Sequence, residues 1–270
     1  MKKKTLIFFI MLIALSLVVI GCGSDQSQNN NQQGAQSGEQ EQLTMKVGAD
    51  VTFPPFEMVI DGKVTGFDID LIRAIAEVED IKIEGEIQTM DFQGLIPAIQ
   101  TNSIDVAVAG ITIREDRAKQ VDFSKPYYHS GITLLVREDS DIQGVEDLQG
   151  KTIAVKLGTT GDIMFSDKEG ITIKRFNNID EAYRELENGG ADAVPFDNPI
   201  HQNYINTTGK GKVKVVGELL TGEDYGIAVS KNRPDLLEKI NSGLDKLIES
   251  GEYEKIYRKY FSDDFGLVSK

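Results

Sequence analysis

Charged and aromatic side chains stand at the ends of four apolar runs in this sequence, and they have the chemistry to bind a ligand. Arg117, Lys156 and Asp197 each end or follow one such run, while Asp50 and Phe53 follow a fourth. A guanidinium can hold a carboxylate through two parallel hydrogen bonds, and a carboxylate can pair with an ammonium. These five residues are therefore the first candidates for a binding site.

Short apolar runs alternate with helical patterns from Leu43 onward, and these elements must position the candidates. Strands are predicted at 45–50, 81–87, 105–110, 131–136, 151–155, 171–176, 192–197, 213–217 and 225–230. Apolar residues at three- and four-residue spacing predict helices at 68–78, 92–100, 179–188 and 234–261. The alternation predicts an α/β fold with mostly parallel sheets. Ligands of such sheets bind beyond the carboxyl ends of the strands, where the candidates stand.

The N-terminal residues have the pattern of a secretory signal. Three lysines precede an uncharged apolar run at 6–20, which is shorter than the roughly 20 residues that a spanning helix needs. We predict a signal peptide at 1–21. Gly21 precedes Cys22, the only cysteine, and this pattern resembles the bacterial lipobox, in which the chain is cut before a cysteine that carries lipid. The alternative is a buried free cysteine.

The segment after Cys22 is too polar to build a core. Residues 23–42 contain no aliphatic side chain larger than that of Ala35, so we predict a lipidated cysteine and disordered tether at 22–42. The remaining chain, 43–270, suits one large domain or two lobes. A single cysteine excludes an internal disulfide, so the core itself must stabilise the fold.

Charge and motifs exclude several functions. The formal net charge is −14, which argues against a nucleic-acid partner because phosphates require a basic surface. The two histidines, His129 and His201, are far apart in sequence, and no Cys/His cluster, phosphate-binding glycine loop or nucleophile–base pattern is visible. We therefore predict no catalytic residue, no metal and no cofactor.

Six segments carry a resemblance to a known family: "ADVTFPPFE", "GFDIDLIRAIA", "MDFQGLIPAIQTNSIDVAVAGITIREDR", "VDFSKPYYHSG", "VKLGTTG" and "ADAVPFDNP". In this order they resemble the polar amino-acid-binding proteins of ABC importers, bacterial extracellular solute-binding protein family 3, most closely the glutamine-binding branch. The resemblance implies a type II periplasmic-binding-protein-like fold with two lobes, two crossing hinge strands and a ligand cleft between the lobes. It implies lobe 1 at 43–126 and 226–270, lobe 2 at 132–220, and a hinge at 127–131 and 221–225.

The resemblance assigns residues to the two charged ends of an amino acid. Arg117 matches the arginine that holds the α-carboxylate, and Asp197 matches the carboxylate that pairs with the α-ammonium. From the residues alone, Arg117 could instead be a surface arginine that pairs with Glu115. Asp197 could instead be the N-cap of the segment that follows Pro199.

The resemblance also implies that backbone groups face the ligand. Gly110 and Thr112 match positions whose carbonyl and amide face the ligand, and Thr159 and Thr160 match a turn whose amides meet its carboxylate. The alternatives are a plain strand-end glycine and an ordinary turn with a threonine or Asp162 as N-cap. The glutamine branch commonly has glycine at the position of Thr160.

The resemblance also implies a side-chain pocket. Phe53 and Phe92 match aromatic residues that sandwich the aliphatic part of the ligand, although such aromatics could also be core residues, as we expect for Phe56. Phe196 stands where the glutamine branch often has histidine. This difference bears on the shape of the pocket.

Asp50 and Lys156 are the predicted selectors of the ligand side chain, one from each lobe. A primary amide offers two donors and an acceptor, so a carboxylate and an ammonium together satisfy it, and we expect glutamine. If Lys156 points to solvent, Asp50 favours arginine, lysine or histidine instead. Both residues could alternatively be solvated surface charges.

We expect a monomeric, lipid-anchored receptor on the extracytoplasmic face of a bacterial cell membrane. Its implied partners are a free amino acid, an ABC permease and the ATPase subunit of that permease. Two other classes share the fold: enzymes such as amino-acid-related dehydratases, and sensory ectodomains. A sensor would need a spanning helix and a cytoplasmic output, and neither pattern is visible.

Overall fold

The computed structural model describes residues 42–262 and 265–268, which belong to a unit at 41–270. The predicted signal peptide at 1–21, Cys22 and the tether up to residue 41 lie outside the described residues. Among the described residues, no helix is both long and apolar enough to cross a membrane.

The described elements follow the predicted alternation and add several short ones. The strands are β1 (Thr44–Met45), β2 (Val47–Ala49), β3 (Met58–Ile60), β4 (Lys63–Thr65), β5 (Lys82–Ile83), β6 (Gln88–Thr89), β7 (Val106–Val108), β8 (Asp122–Phe123), β9 (Tyr128–Ser130), β10 (Ile132–Arg137), β11 (Thr152–Lys156), β12 (Thr172–Phe176), β13 (Ala193–Asp197), β14 (Val213–Val216), β15 (Glu223–Tyr225) and β16 (Ala228–Val229). The helices are α1 (Phe67–Val78), α2 (Phe92–Gln100), α3 (Glu115–Ala118), α4 (Thr160–Phe165), α5 (Ile179–Glu187), α6 (Asn198–Asn206), α7 (Pro234–Ser250) and α8 (Glu252–Tyr260), with a 3₁₀ turn at Val145–Leu148.

Two five-stranded sheets form two lobes, so the two-lobed α/β fold is confirmed. The sheet of the first lobe has the order β6-β2-β7-β16-β8, and that of the second lobe has the order β12-β11-β13-β10-β14. The two orders correspond. In each, the first three strands are parallel to one another, and the fourth is antiparallel to both the third and the fifth.

The sheets are mostly parallel, as predicted, because four of the five strands in each sheet run in the same direction and only one is reversed. β10 is antiparallel to β13 and β14, and β16 is antiparallel to β7 and β8. A parallel neighbour requires a long crossover connection, usually a helix. β10 and β16 instead enter their sheets directly from the other lobe, so they run against their neighbours.

The strands β9 and β15 pair with each other in an antiparallel ladder that we call the crossover ladder, with Tyr128 opposite Tyr225 and Ser130 opposite Glu223. The chain passes along β9 from the first lobe to the second and returns along β15. The crossover ladder thus lies where the hinge was predicted at 127–131 and 221–225. The lobe boundaries drawn from the hinge stay a prediction.

Aromatic packing joins the ladder to the first lobe. The Phe56 ring is fully buried, as predicted, and lies 4.8 Å from the Tyr128 ring and 5.5 Å from the Tyr225 ring, centroid to centroid. Buried aromatic rings contribute large apolar areas and favour such edge-to-face contacts. The ladder is therefore anchored on the first lobe.

The C-terminal helical pattern at 234–261 is interrupted, contrary to the single helix predicted. Gly251 adopts a left-handed conformation with φ of 78° between α7 and α8. Glycine adopts such a conformation without steric cost, so it ends α7. The two helices pack on α1, where Gly243 brings α7 close to Ile75.

Candidate ligand-binding site

A cavity between the lobes brings together nine of the ten predicted ligand-binding residues. Protein atoms leave about 260 Å³ of space there. It is lined by Phe53, Phe92, Ala109, Gly110, Thr112, Arg117, Lys156, Thr159, Thr160, Phe196 and Asp197. A larger groove of about 1090 Å³ lies beside α7, but its charged residues include the Lys125–Asp245 pair, whose side chains are half exposed, whereas those of the cavity are buried. The chemistry therefore favours the smaller cavity.

Arg117 projects from α3, the turn of helix that follows β7. Its guanidinium donates to the carbonyl oxygen of Thr112 at 3.0 Å and, across the cleft, to that of Gly158 at 3.1 Å. Arg117 is only 4% exposed, so the alternative of a surface arginine is wrong. Burial, and then the charge of Arg114, lower its pKa to about 10, so the guanidinium stays charged at neutral pH. Its planar fork spans both lobes.

Asp197 ends β13 and is buried in the wall of the cavity. The backbone of Asp197 is at the N-cap position of α6, but its side chain caps no helix amide. The carboxylate instead accepts a hydrogen bond from the Tyr225 hydroxyl. Burial, and then the charge of Glu223, raise the pKa of Asp197 to about 7. A nearby cation would favour the ionised form of this carboxyl group.

Asp50 and Lys156 form a buried ion pair across the cleft. Their exposed fractions are 3% and 1%, so the alternative of two solvated surface charges is wrong. Lys156 also donates to the hydroxyl of Thr52 at 2.9 Å, and Asp50 accepts from the Thr52 amide at 3.0 Å and hydroxyl at 2.7 Å. Sequence reasoning missed Thr52, although its place two residues after an aspartate is typical of an Asx turn.

Aromatic rings flank the cations of the site. The Lys156 ammonium lies 6.0 Å from the Phe53 centroid and 5.7 Å from the Phe92 centroid, and the Arg117 guanidinium lies 5.2 Å from the Phe92 centroid. Phe196 is fully buried and meets Phe53 edge-on at 5.7 Å. The apolar walls exclude water, which strengthens the electrostatic interactions inside.

Gly110 lies against Phe53 and has φ of 52°. A Cβ atom there would overlap with Cε1 of the Phe53 ring, so only glycine fits. Its amide donates to Oδ2 of Asp68 at 3.0 Å. This contact leaves the predictions for the Gly110 carbonyl and the Thr112 amide unchanged, and no local pattern of the sequence indicates that Asp68 lies against Gly110.

The turn at the start of α4 meets the first lobe. The Thr159 amide and hydroxyl contact the Lys156 carbonyl oxygen, at 3.3 Å and 2.7 Å. The Thr160 hydroxyl crosses the cleft and donates to that of Thr112 at 3.2 Å. A glycine in place of Thr160 could not make this bond. Asp162 accepts from the Gly158 amide at 3.0 Å and so stabilises the turn.

A buried pair of carboxyl groups, Glu57 and Asp68, lies beneath the site and was not predicted. Both oxygens of Glu57 and Oδ1 of Asp68 lack a hydrogen-bond donor among the described residues. Two ionised carboxylates only accept, so one shared proton is needed to join them. Burial, and then the charge of Asp68, raise the pKa of Glu57 well above its ordinary value.

Most of the chain matches a known protein family. The sequence pattern of the bacterial extracellular solute-binding proteins, family 3, matches residues 45–263. The chain belongs to that family. Among the described residues, no group of three or more His, Cys, Asp or Glu side chains could hold a metal ion.

Relatives of this solute-binding protein differ in the amino acid that their descriptions name. A probable histidine-binding protein of Neisseria gonorrhoeae is 37% identical and covers 83% of this chain and 85% of its own length. The ABC transporter glutamine-binding protein GlnH of Bacillus subtilis is 31% identical, covering 98% and 99%. An ancestral arginine-binding protein solved with bound glutamine is 45% identical, with a TM-score of 0.77 and coverage of 83% and 100%.

Proposed function

We propose that this protein is the amino-acid receptor of an ABC importer and that its ligand is glutamine. The observation that carries the proposal is the buried Asp50–Lys156 pair. Its two charges cancel, and Lys156 lines the cavity with Arg117 and Asp197, whereas Asp50 contacts Lys156 from outside the lining. The site therefore presents one cation and one anion for the charged ends of an amino acid, and a neutral polar pair for its side chain.

The charged ends of the ligand would meet Arg117 and Asp197. A guanidinium binds a carboxylate with two parallel hydrogen bonds, and the buried carboxylate of Asp197 would pair with the α-ammonium. Thr112 and Thr160 line the same region, and their amides would donate to the α-carboxylate. Thr159 uses its amide and hydroxyl on the Lys156 carbonyl oxygen and would only shape the turn. Phe53 and Phe92 would enclose the aliphatic part of the ligand.

The amide of glutamine would insert between Asp50 and Lys156. Its amino group would donate to the carboxylate, and its carbonyl oxygen would accept from the ammonium. An anionic side chain would meet Asp50, and a cationic one would meet Lys156. Either mismatch places like charges together in a desolvated cleft, which typically costs several kcal/mol.

A cationic amino acid such as arginine, lysine or histidine is the second candidate. The descriptions of several relatives name arginine or histidine. For this ligand, Lys156 would have to leave Asp50 and move to solvent, so that Asp50 could pair with the cationic tail. Glutamine also separates the pair, but its amide would pair with both charges, whereas a cationic tail would leave Lys156 without Asp50, which makes this second choice less favourable.

Binding would proceed by closure of the lobes. The first lobe supplies Arg117 and the two aromatic rings, and the second lobe supplies Asp197 and Lys156. A ligand that contacts both lobes stabilises only the closed arrangement, so it shifts the population toward that arrangement. The permease and its ATPase would then distinguish the ligand-bound receptor from the empty one by its closed conformation.

Lipid attachment at Cys22 would hold the receptor at the extracytoplasmic face of the cell membrane, and 22–42 would act as its tether. The lipobox pattern of the sequence supports this part of the proposal. A non-enzymatic role is supported by relatives described as binding proteins.

Titration calorimetry of the purified chain against all common amino acids tests the proposal. We expect heat of binding with glutamine and much weaker binding with arginine, lysine, histidine and glutamate. Binding of arginine without binding of glutamine would overturn the assignment of glutamine and favour the cationic alternative.

Two substitutions test the role of the ion pair. Lys156→Met leaves Asp50 unpaired and should shift the preference from glutamine toward arginine by at least about tenfold, or 1.4 kcal/mol. Asp50→Asn leaves Lys156 unpaired and should shift it toward glutamate. The control is Lys174→Met, because Lys174 is an exposed residue of β12 that pairs with Glu185. An unchanged preference in both cleft variants would contradict the selector role.

A further inference from the structure

Glu223 lies on β15 of the crossover ladder. Its two carboxylate oxygens accept hydrogen bonds from hydroxyl groups of two different segments of the chain. Oε2 accepts from the Thr112 hydroxyl at 2.8 Å, and Oε1 accepts from the Thr221 hydroxyl at 3.0 Å. Thr112 belongs to the first lobe and lines the cavity. Glu223 thus connects the ladder to the binding site.

The carboxylate fixes the direction of a series of hydrogen bonds across the cleft. Because an ionised carboxylate only accepts, the hydroxyl proton of Thr112 points at Glu223. The oxygen of Thr112 then accepts from the Thr160 hydroxyl at 3.2 Å. Thr160 belongs to α4 of the second lobe. The series from Thr160 through Thr112 to Glu223 therefore joins both lobes.

The second oxygen of Glu223 connects to the other crossing of the chain. Thr221 donates to Glu223 and accepts from the Ile132 amide at 2.9 Å. Ile132 is the first residue of β10, the strand by which the chain enters the sheet of the second lobe. The Glu223 carboxylate thus positions both the hydrogen bond across the cleft and the start of β10, where the chain leaves the crossover ladder.

We propose that Glu223 is a positioning residue that stabilises the closed arrangement of the lobes and slows release of the amino acid. This inference rests on the proposed function, because it requires binding by closure. Glu223 lies outside the residues that line the cavity and acts through Thr112 and, by its charge, on Asp197, which would meet the ammonium group that all amino acids share. It makes no contact with Asp50 or Lys156, so its loss should weaken every bound amino acid by the same factor.

Glu223→Gln is the test, with dissociation rates measured by stopped-flow tyrosine fluorescence, since the chain has no tryptophan. A glutamine amide accepts from only one of the two hydroxyls and donates to the other, so one hydrogen bond must reverse and the fixed direction of the series is lost. We expect dissociation to be about tenfold faster, which corresponds to 1.4 kcal/mol, with an unchanged association rate. The order of preference among amino acids should stay the same.

The matched control is Asp224→Asn. Asp224 is the next residue of β15, and its carboxylate pairs with His129 away from the cleft. We expect this variant to release the amino acid at the rate of the unaltered chain. A similar acceleration in both variants would show a general weakening of the ladder and would overturn the proposal.

A double-mutant cycle with Thr160→Val adds a second readout. Both changes remove the same cross-cleft series, so their effects should fall well short of multiplying. Three results would overturn the role of Glu223. They are effects of the two substitutions that multiply, an unchanged dissociation rate in Glu223→Gln, and a change in dissociation rate that differs among amino acids. If the unaltered chain binds another amino acid and not glutamine, the proposed ligand fails, and the Glu223 comparison is made with the amino acid that binds.

Discussion

The hydroxyl of Tyr225 donates a hydrogen bond to Oδ1 of Asp197 and accepts one from the Ser130 hydroxyl at 2.9 Å. Tyr225 and Ser130 belong to the crossover ladder, whereas Asp197 ends a strand of the second lobe. The ladder therefore orients the carboxylate that we assign to the ligand ammonium. Because burial and Glu223 raise its pKa to about 7, this carboxylate titrates near neutral pH.

We predict that amino-acid affinity falls as the pH is lowered through about 7. The ligand ammonium stabilises the ionised form of Asp197, so binding to the protonated form must release a proton. Affinity is therefore fully present above the pKa and is lost below it. With a pKa of about 7, affinity should fall about tenfold between pH 8 and pH 6. Titration calorimetry in buffers of different ionisation enthalpy measures both the affinity and the released proton.

Asp197→Asn is the control for this pH dependence. The amide does not titrate, so this variant should bind weakly and equally at pH 8 and pH 6. A pH dependence that persists in Asp197→Asn would assign the titration to another group and contradict the prediction.

Replacement of Arg117 should weaken binding strongly. Arg117→Ala removes a buried guanidinium that would hold the α-carboxylate, and loss of one partner from a buried charge pair costs about 2–5 kcal/mol. Affinity should therefore fall at least about thirtyfold. Arg117→Lys should recover little, since an ammonium cannot reproduce the two-point contact. Arg73→Ala, on the exposed face of α1, is the control. Affinity of Arg117→Ala within about threefold of the unaltered chain would refute the carboxylate assignment.

The strand ends of the cleft could be predicted because their pattern is local. Apolar runs that end in charged residues identify the carboxyl ends of strands, and in α/β sheets these ends face the ligand. Arg117, Lys156 and Asp197 were found in this way. The family resemblance then assigned a part of the amino-acid ligand to each of these three residues.

The missed features depend on contacts between distant parts of the chain. The reversed direction of β10 and β16 follows from the path between lobes, which no local pattern reveals. Glu57 and Asp68 were missed because their burial depends on packing, and acidic residues are usually exposed. Glu223 was missed because its partners, Thr112 and Thr221, lie in separate segments.

The Glu57–Asp68 pair should make folding stability depend on pH. The pKa of Glu57 is raised above its ordinary value of 4.5, so between pH 4.5 and the folded-state pKa the folded protein holds a proton that the unfolded chain has released. The contribution of this group is therefore fully present below pH 4.5 and is lost as the pH rises toward the folded-state pKa. One linked proton changes the free energy of unfolding by about 1.4 kcal/mol per pH unit.

Glu57→Gln should remove this linked proton. A glutamine amide can donate to Asp68 as a protonated carboxyl group does, and it carries no charge to desolvate. We expect urea unfolding at a series of pH values from 5 upward to show a shallower decline in stability for Glu57→Gln than for the unaltered chain. The reference is Glu86→Gln, an exposed carboxylate of the same lobe. Equal slopes in all three proteins would show that Glu57 is ionised in the folded state.

Gly110→Ala should destabilise the fold and weaken binding, because two costs act together at this position. The backbone has φ of 52°, which costs an alanine roughly 1–2 kcal/mol. The new methyl group would also displace the Phe53 ring, and overpacking of a buried site typically costs about 1–3 kcal/mol.

Gly85→Ala separates the two costs, because Gly85 has φ of 68° and open space around it. We expect urea unfolding to show a loss for Gly110→Ala that exceeds the loss for Gly85→Ala, and calorimetry to show weaker amino-acid binding for Gly110→Ala alone. Equal losses in the two variants would mean that the Phe53 contact adds nothing at Gly110.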